Sequence, residues 1–187
     1  MKSKSLTTII AIILLSAACA ASVNNALEAN GFGPVRIGAD IKILPKSSDG
    51  LYDKIVSEKD EEFDYEGVEY HLMLKGEKIA TLIEDGGKIH AIEIYSDKVR
   101  TADGVGLQKT AVEILAAGGT AYCDNYGFEG LLFRGMLFSY IDLTLSGQKK
   151  AETAYLDGTN QVFNESDFKS GACPGKITLM RWYAQQP

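Results

Sequence analysis

The sequence predicts an α+β fold, mainly antiparallel β-sheet with one or two short helices in a single domain. Three observations carry this expectation. Residues 65–95 alternate short, largely β-branched runs with glycine turns, the pattern of successive hairpins. Residues 110–117 combine a capping box with helical spacing of apolar side chains. Once a targeting-type start is set aside, about 167 residues remain, enough for one domain with its own core.

The start divides the chain into residues 1–20, a tether or short helix over 21–33, and a single domain over 34–187. Met1-Lys2-Ser3-Lys4 is positive, Leu6 to Leu15 is apolar, and Ser16 to Ala21 is a run of small residues around Cys19. This is the three-part layout of a secretory signal peptide. The apolar run is half the length of roughly 20 residues that a spanning helix needs. Two processing routes fit. Ala18-Cys19-Ala20 offers an A-x-A site with cleavage before Ala21. Ser16-Ala17-Ala18-Cys19 is similar to a bacterial lipobox, which would make Cys19 a lipidated first residue, although Ser16 stands where leucine is usual.

The elements follow in order. Val35 to Ile37 and Ile41 to Leu44 suggest strand or strand-then-turn, stopped by Pro45. Ser47-Ser48-Asp49-Gly50 is a turn, and Leu51 to Val56 a short strand. A meander comes next: Val68 to Leu74, a Lys75-Gly76 turn, Lys78 to Glu84, an Asp85-Gly86-Gly87 turn, and Ile89 to Tyr95. Strict alternation places Ile92 and Ile94 on one face and Ile89, Ala91 and Tyr95 on the other, so both faces of the sheet are covered. Thr110 and Glu113 cap a helix that ends at Gly118-Gly119. Leu131 to Arg134 and Met136 to Leu145 are strands that turn at Gly135 and Ser146-Gly147. Residues 146–175 read as polar loop with one helical turn near Asp167, and Ile177 to Tyr183 as a last strand.

Charge and cysteines bound the function. Residues 1–20 remove Lys2 and Lys4, leaving 17 basic against 25 acidic residues and a formal charge of −8. That balance speaks against nucleic acid, whose binding rests on neutralising phosphates, and against electrostatic docking on anionic lipid. Membrane attachment is expected only through a lipid on Cys19. The densest acidic stretch, Glu58 to Glu66, reads first as a solvated loop or strand end and second as a surface for a cation or a basic partner. With Cys19 discarded or lipidated, Cys123 and Cys173 remain, and an oxidising compartment makes them one disulfide. It closes a loop of about 50 residues, worth roughly 4 kcal/mol by chain entropy.

The search for chemistry finds no assembled site: no catalytic, cofactor-binding or metal-ligating residue is assigned, and no cofactor is expected. The two histidines, His71 and His90, fall on the first and third meander strands, about 9–10 Å apart. That is too far to share a zinc ion with His bonds of about 2.0 Å. Each is expected to be a structural, half-buried histidine. Gly104-Val105-Gly106 before the helix reads as a turn, and Asp142 as a residue of an exposed sheet face.

Met73-Leu74-Lys75-Gly76-Glu77, Asp85-Gly86-Gly87-Lys88-Ile89, Thr101-Ala102-Asp103-Gly104-Val105, a late Ser146-Gly147 and a final strand with Trp182 give the sequence a family likeness. It resembles small enterobacterial envelope lipoproteins regulated by the extracytoplasmic stress sigma factor, over residues 73–183 with gaps. The resemblance implies an envelope protein of undefined biochemical function and brings no catalytic residues. The expectation is therefore a non-enzymatic exported protein that binds another protein or supports envelope integrity. Alternatives are an inhibitor of a periplasmic or host hydrolase, and a carboxylate-based enzyme or small-ligand-binding module.

Overall fold

In the computed structural model of the protein, residues 26–59, 68–124, 127–157, 161–171 and 175–180 are described. The signal-type start with Cys19, most of the acidic stretch, Cys173 and Trp182 lie outside them. Within them the chain is mainly antiparallel sheet with two α-helices.

Three two-residue strands, β1 (Leu27–Glu28), β2 (Gly31–Phe32) and β3 (Val35–Arg36), make a small antiparallel sheet. Where a tether or short helix was expected over 21–33, the described part is thus extended. The reason is burial: Leu27, Phe32 and Val35 are anchored in the hydrophobic core.

The main sheet holds β4 (Lys54–Lys59), β5 (Val68–Leu74), β6 (Glu77–Asp85), β7 (Lys88–Ile94), β8 (Thr120–Asp124), β9 (Gly127–Phe133), β10 (Met136–Ser139) and β11 (Lys176–Met180). Its order is β4-β5-β6-β7-β11-β10-β9-β8, antiparallel throughout. The meander is present with its turns in place. Lys75-Gly76, Gly86-Gly87 and Arg134-Gly135 all have positive φ at both central residues, the mirror-image turns whose twist matches that of the strands they join. The last strand, β11, sits between β7 and β10 and joins two meanders into one sheet.

One expectation about faces is corrected. Ile89 lies in the core with Ile92 and Ile94, not opposite them with Ala91. The register moves from Ile83↔Ala91 to Glu84↔Ile89, which leaves His90 as the extra residue of a β-bulge. A bulge reverses the parity of the strand beyond it.

Helix α1 (Ala111–Ala116) carries both capping-box bonds: Thr110 Oγ1 accepts from the Glu113 amide at 3.2 Å, and Glu113 Oε2 accepts from the Thr110 amide at 2.8 Å. Ala111 and Ile114 enter the core. Two further expectations are corrected. The strand expected over residues 136–145 stops at Ser139, and a 13-residue helix α2 (Leu145–Asp157) stands where Ser146-Gly147 was read as a turn and the following residues as loop. It buries only Gly147 and Ala154, so it has no apolar stripe to announce it. A Cβ on Gly147 would meet the Asp167 carbonyl oxygen at 2.2 Å, so the glycine permits the close approach of α2 to the 3-10 turn at Glu165–Asp167. Asp167 is fully buried in that contact. Its carboxylate accepts from Lys150 Nζ at 2.6 Å, the Asn164 amide at 2.8 Å and Ser146 Oγ at 2.8 Å.

Candidate functional site

The strand register carries one row of residues across the whole sheet: Val56, His71, Thr81, Glu93, Thr178, Leu137, Leu132 and Thr120. Their neighbours in each strand alternate to the other face, where Leu72, Ala80, Leu82, Ile92, Ile94, Ile177, Leu179, Phe138 and Leu131 form the core. The row therefore marks the second face, which is polar over its β4–β11 half.

On that half the polar side chains form two hydrogen-bonded groups. Glu58 Oε2 on β4 lies 2.9 Å from His71 Nε2, and His71 Nδ1 lies 3.0 Å from Thr81 Oγ1. In the strand register Thr81 stands opposite Glu93 on β7. Tyr95 donates to Glu93 Oε2 at 2.5 Å, and Lys176 Nζ on β11 is hydrogen-bonded and ion-paired to Glu93 Oε1. Burial of the Tyr95 phenol, with the hydrogen bond to Glu93, raises its pKa well above the ordinary tyrosine value. Both ring nitrogens of His71 have partners, and Thr81 beside Glu93 is buried. The two groups lie side by side, Thr81 opposite Glu93, as a polar layer across five strands.

At its β11 end the layer opens into a groove of about 370 Å³, lined by Glu93, Leu137, Ser139, Tyr140, Lys176 and Thr178. Tyr140 is 73% exposed and has φ +62, a left-handed conformation that is strained for a residue with a Cβ. Lys176 Nζ lies 5.8 Å from the centre of its ring. A neighbouring depression of about 400 Å³ includes Lys78, Tyr95, Ser96 and Lys98.

The residues singled out from sequence lie elsewhere or play smaller parts. Cys123 is on β8, half-buried and packed against the core. His71 is the half-buried histidine expected, whereas His90, at the bulge, is exposed. Asp142 is exposed in the connection after β10. Among the described residues no group of three or more His, Cys, Asp or Glu could hold a metal ion, and no helix is long and apolar enough to cross a membrane. Sequence reading missed the Glu93–Tyr95–Lys176 group and the Tyr140 rim. The spacing Glu93-x-Tyr95 was visible as polar residues in an apolar strand, but Lys176 becomes their neighbour only through the β7–β11 pairing, 83 residues away from Glu93 in sequence. No family model, curated protein or solved structure matches the chain.

Proposed function

We propose that the protein is an exported component of the cell envelope that works without catalysis, by holding a basic partner protein along the β4 edge of its sheet. The signal-type start and the likeness to envelope lipoproteins supply the compartment. The observation that carries the partner is topological: among the described residues β4 is an end strand of the eight-stranded sheet, and an edge strand is a template for strand addition. At the opposite end, β8 packs against α2. The acidic stretch beginning at Glu58 and the charge of −8 after residue 20 favour a partner of the opposite sign and speed its encounter. A basic hydrolase held in this way would be inhibited, which keeps that alternative inside the same reading.

The test is site-specific photocrosslinking in intact cells. A benzoylphenylalanine at exposed Ser57 on β4 is expected to give a discrete protein adduct, and one at exposed Lys149 on α2 is not. Absence of any adduct from Ser57, or equal adducts from both positions, refutes the edge.

Export also brings the disulfide between Cys123 and Cys173. The register supports it. Lys176, Ser139, Gly130 and Tyr122 lie in one row, so Tyr122, next to Cys123, is about 14 Å from Lys176 at about 4.8 Å per strand. Three residues of chain span up to about 10 Å, and bridged Cα atoms are about 5.5 Å apart. Two free thiols in the unfolded, unreduced mature protein would refute it.

A further inference from the structure

We infer that the groove between Glu93, Lys176 and Tyr140 is a binding site for a neutral saccharide. The inference stands apart from the β4 edge, which is three strands away from β7 in the sheet.

The volume of about 370 Å³ lies at the low end of small-ligand sites, about 300–1,000 Å³. Its chemistry selects among ligands of that size. Glu93 and Lys176 neutralise one another inside the groove, so of its charged lining residues only Glu129 on the wall lies outside this pair. Both groups keep hydrogen-bonding capacity. A carboxylate has about four lone-pair sites, and an ammonium has three donors, of which the pair uses one. Ser139 and Thr178 add two hydroxyls that donate or accept, and Glu129 adds acceptors on the wall. A ligand rich in hydroxyls that both donate and accept fits this set without breaking the ion pair. An apolar ligand would leave the set unpaired at a cost of about 1–3 kcal/mol per buried group.

The rim carries the second requirement. Sugar rings present a face of C–H groups that rests on an aromatic face, and Tyr140 holds a largely exposed ring at the groove mouth. Its position is built. The backbone is held at φ +62, and a Cβ on Gly175 would lie 2.9 Å from the ring, so glycine there leaves room for it. Gly175 also lines the neighbouring depression of about 400 Å³, so the surface continues beyond one sugar unit toward Tyr95 and Lys98.

The test uses the isotope-labelled mature chain titrated with chitotriose, maltotriose and trilysine at millimolar concentration, read by amide chemical shifts. Chitotriose or maltotriose is expected to move the amides of Ser139, Tyr140 and Thr178. Tyr140→Gly is expected to weaken that saccharide by about three- to tenfold, the worth of one aromatic contact, while Tyr140→Phe keeps it. Glycine accepts the left-handed backbone at no steric cost, so loss of binding cannot be ascribed to misfolding at that position. The inference is overturned if neither saccharide moves these amides, if trilysine alone does, or if Tyr140→Gly binds as tightly as the unaltered protein.

Discussion

Replacing Asp167 tests how α2 is held. The carboxylate is fully buried and accepts three hydrogen bonds, from Lys150, the Asn164 amide and Ser146. Hydrogen bonds to a charged group contribute about 1.5–3 kcal/mol each and neutral ones about 0.5–1.5. Asp167→Asn keeps an acceptor for Lys150 and the Asn164 amide and can turn its amide toward Ser146, so it loses mainly charge assistance, about 2 kcal/mol. Asp167→Ala leaves all three donors without that partner, and about 4 kcal/mol is expected, below the additive sum because Lys150 is 28% exposed and reaches water. For a domain of this size that lowers Tm by about 8–16 °C. Urea unfolding followed by circular dichroism measures both variants. Burial pushes the Asp167 carboxyl up, but the hydrogen bonds from Lys150, Asn164 and Ser146 outweigh it and hold the pKa below the ordinary value. A lowered folded-state pKa gives stability that is present in full above the unfolded value of about 3.9 and is lost as pH falls through the folded value. The gap between the protein and Asp167→Asn is therefore expected to be widest near neutral pH and to close in acid. A loss under about 1 kcal/mol for Asp167→Ala, or a gap that widens below about pH 4, would refute this account of the contact.

Gly147→Ala forces a Cβ onto the Asp167 carbonyl oxygen and is expected to cost about 1–3 kcal/mol in the same unfolding assay. Thr110→Ala removes the α1 cap and should cost about 1 kcal/mol; an unchanged denaturation midpoint would count against the capping box. Tyr95 has a raised folded-state pKa, so its contribution is full below the unfolded value of about 10 and is lost as pH rises beyond it. Tyr95→Phe should flatten that alkaline fall, measured as Tm between about pH 9 and pH 11. Reduction of the mature protein with dithiothreitol should lower Tm if Cys123 and Cys173 are bonded, and Cys123→Ser should abolish the dependence.

Local chemistry was legible and long-range pairing was not. Glycine at positive φ and a threonine–glutamate cap act over two to four residues, so the meander turns and α1 could be placed from sequence alone. The bulge at His90 could not, because it is imposed by how β6 and the segment after β3 pack on β7: Gly38 donates to the Ile89 carbonyl, and Ile89 to that of Ala39. Helix α2 was hidden because polar bonds through Asp167, rather than an apolar stripe, fix it to its neighbours. The groove was hidden for a related reason. Its walls come from β7, β9, β10 and β11, and nothing local to Glu93 or Ser139 indicates that Lys176 will lie between their strands.

The central position of β11 has a consequence for the order of events in a chain that emerges N-terminus first. Until residues 176–180 arrive, β7 and β10 are two raw margins with unsatisfied backbone groups and no partner for each other. Each half can form early, but the sheet closes late, by a single strand threading between two finished pieces. That order leaves the two halves of the sheet unjoined until β11 is in place. It also makes the interval before closure the moment when another chain's strand could take the vacant seat, so slow release of the last segment should favour swapped dimers over monomers.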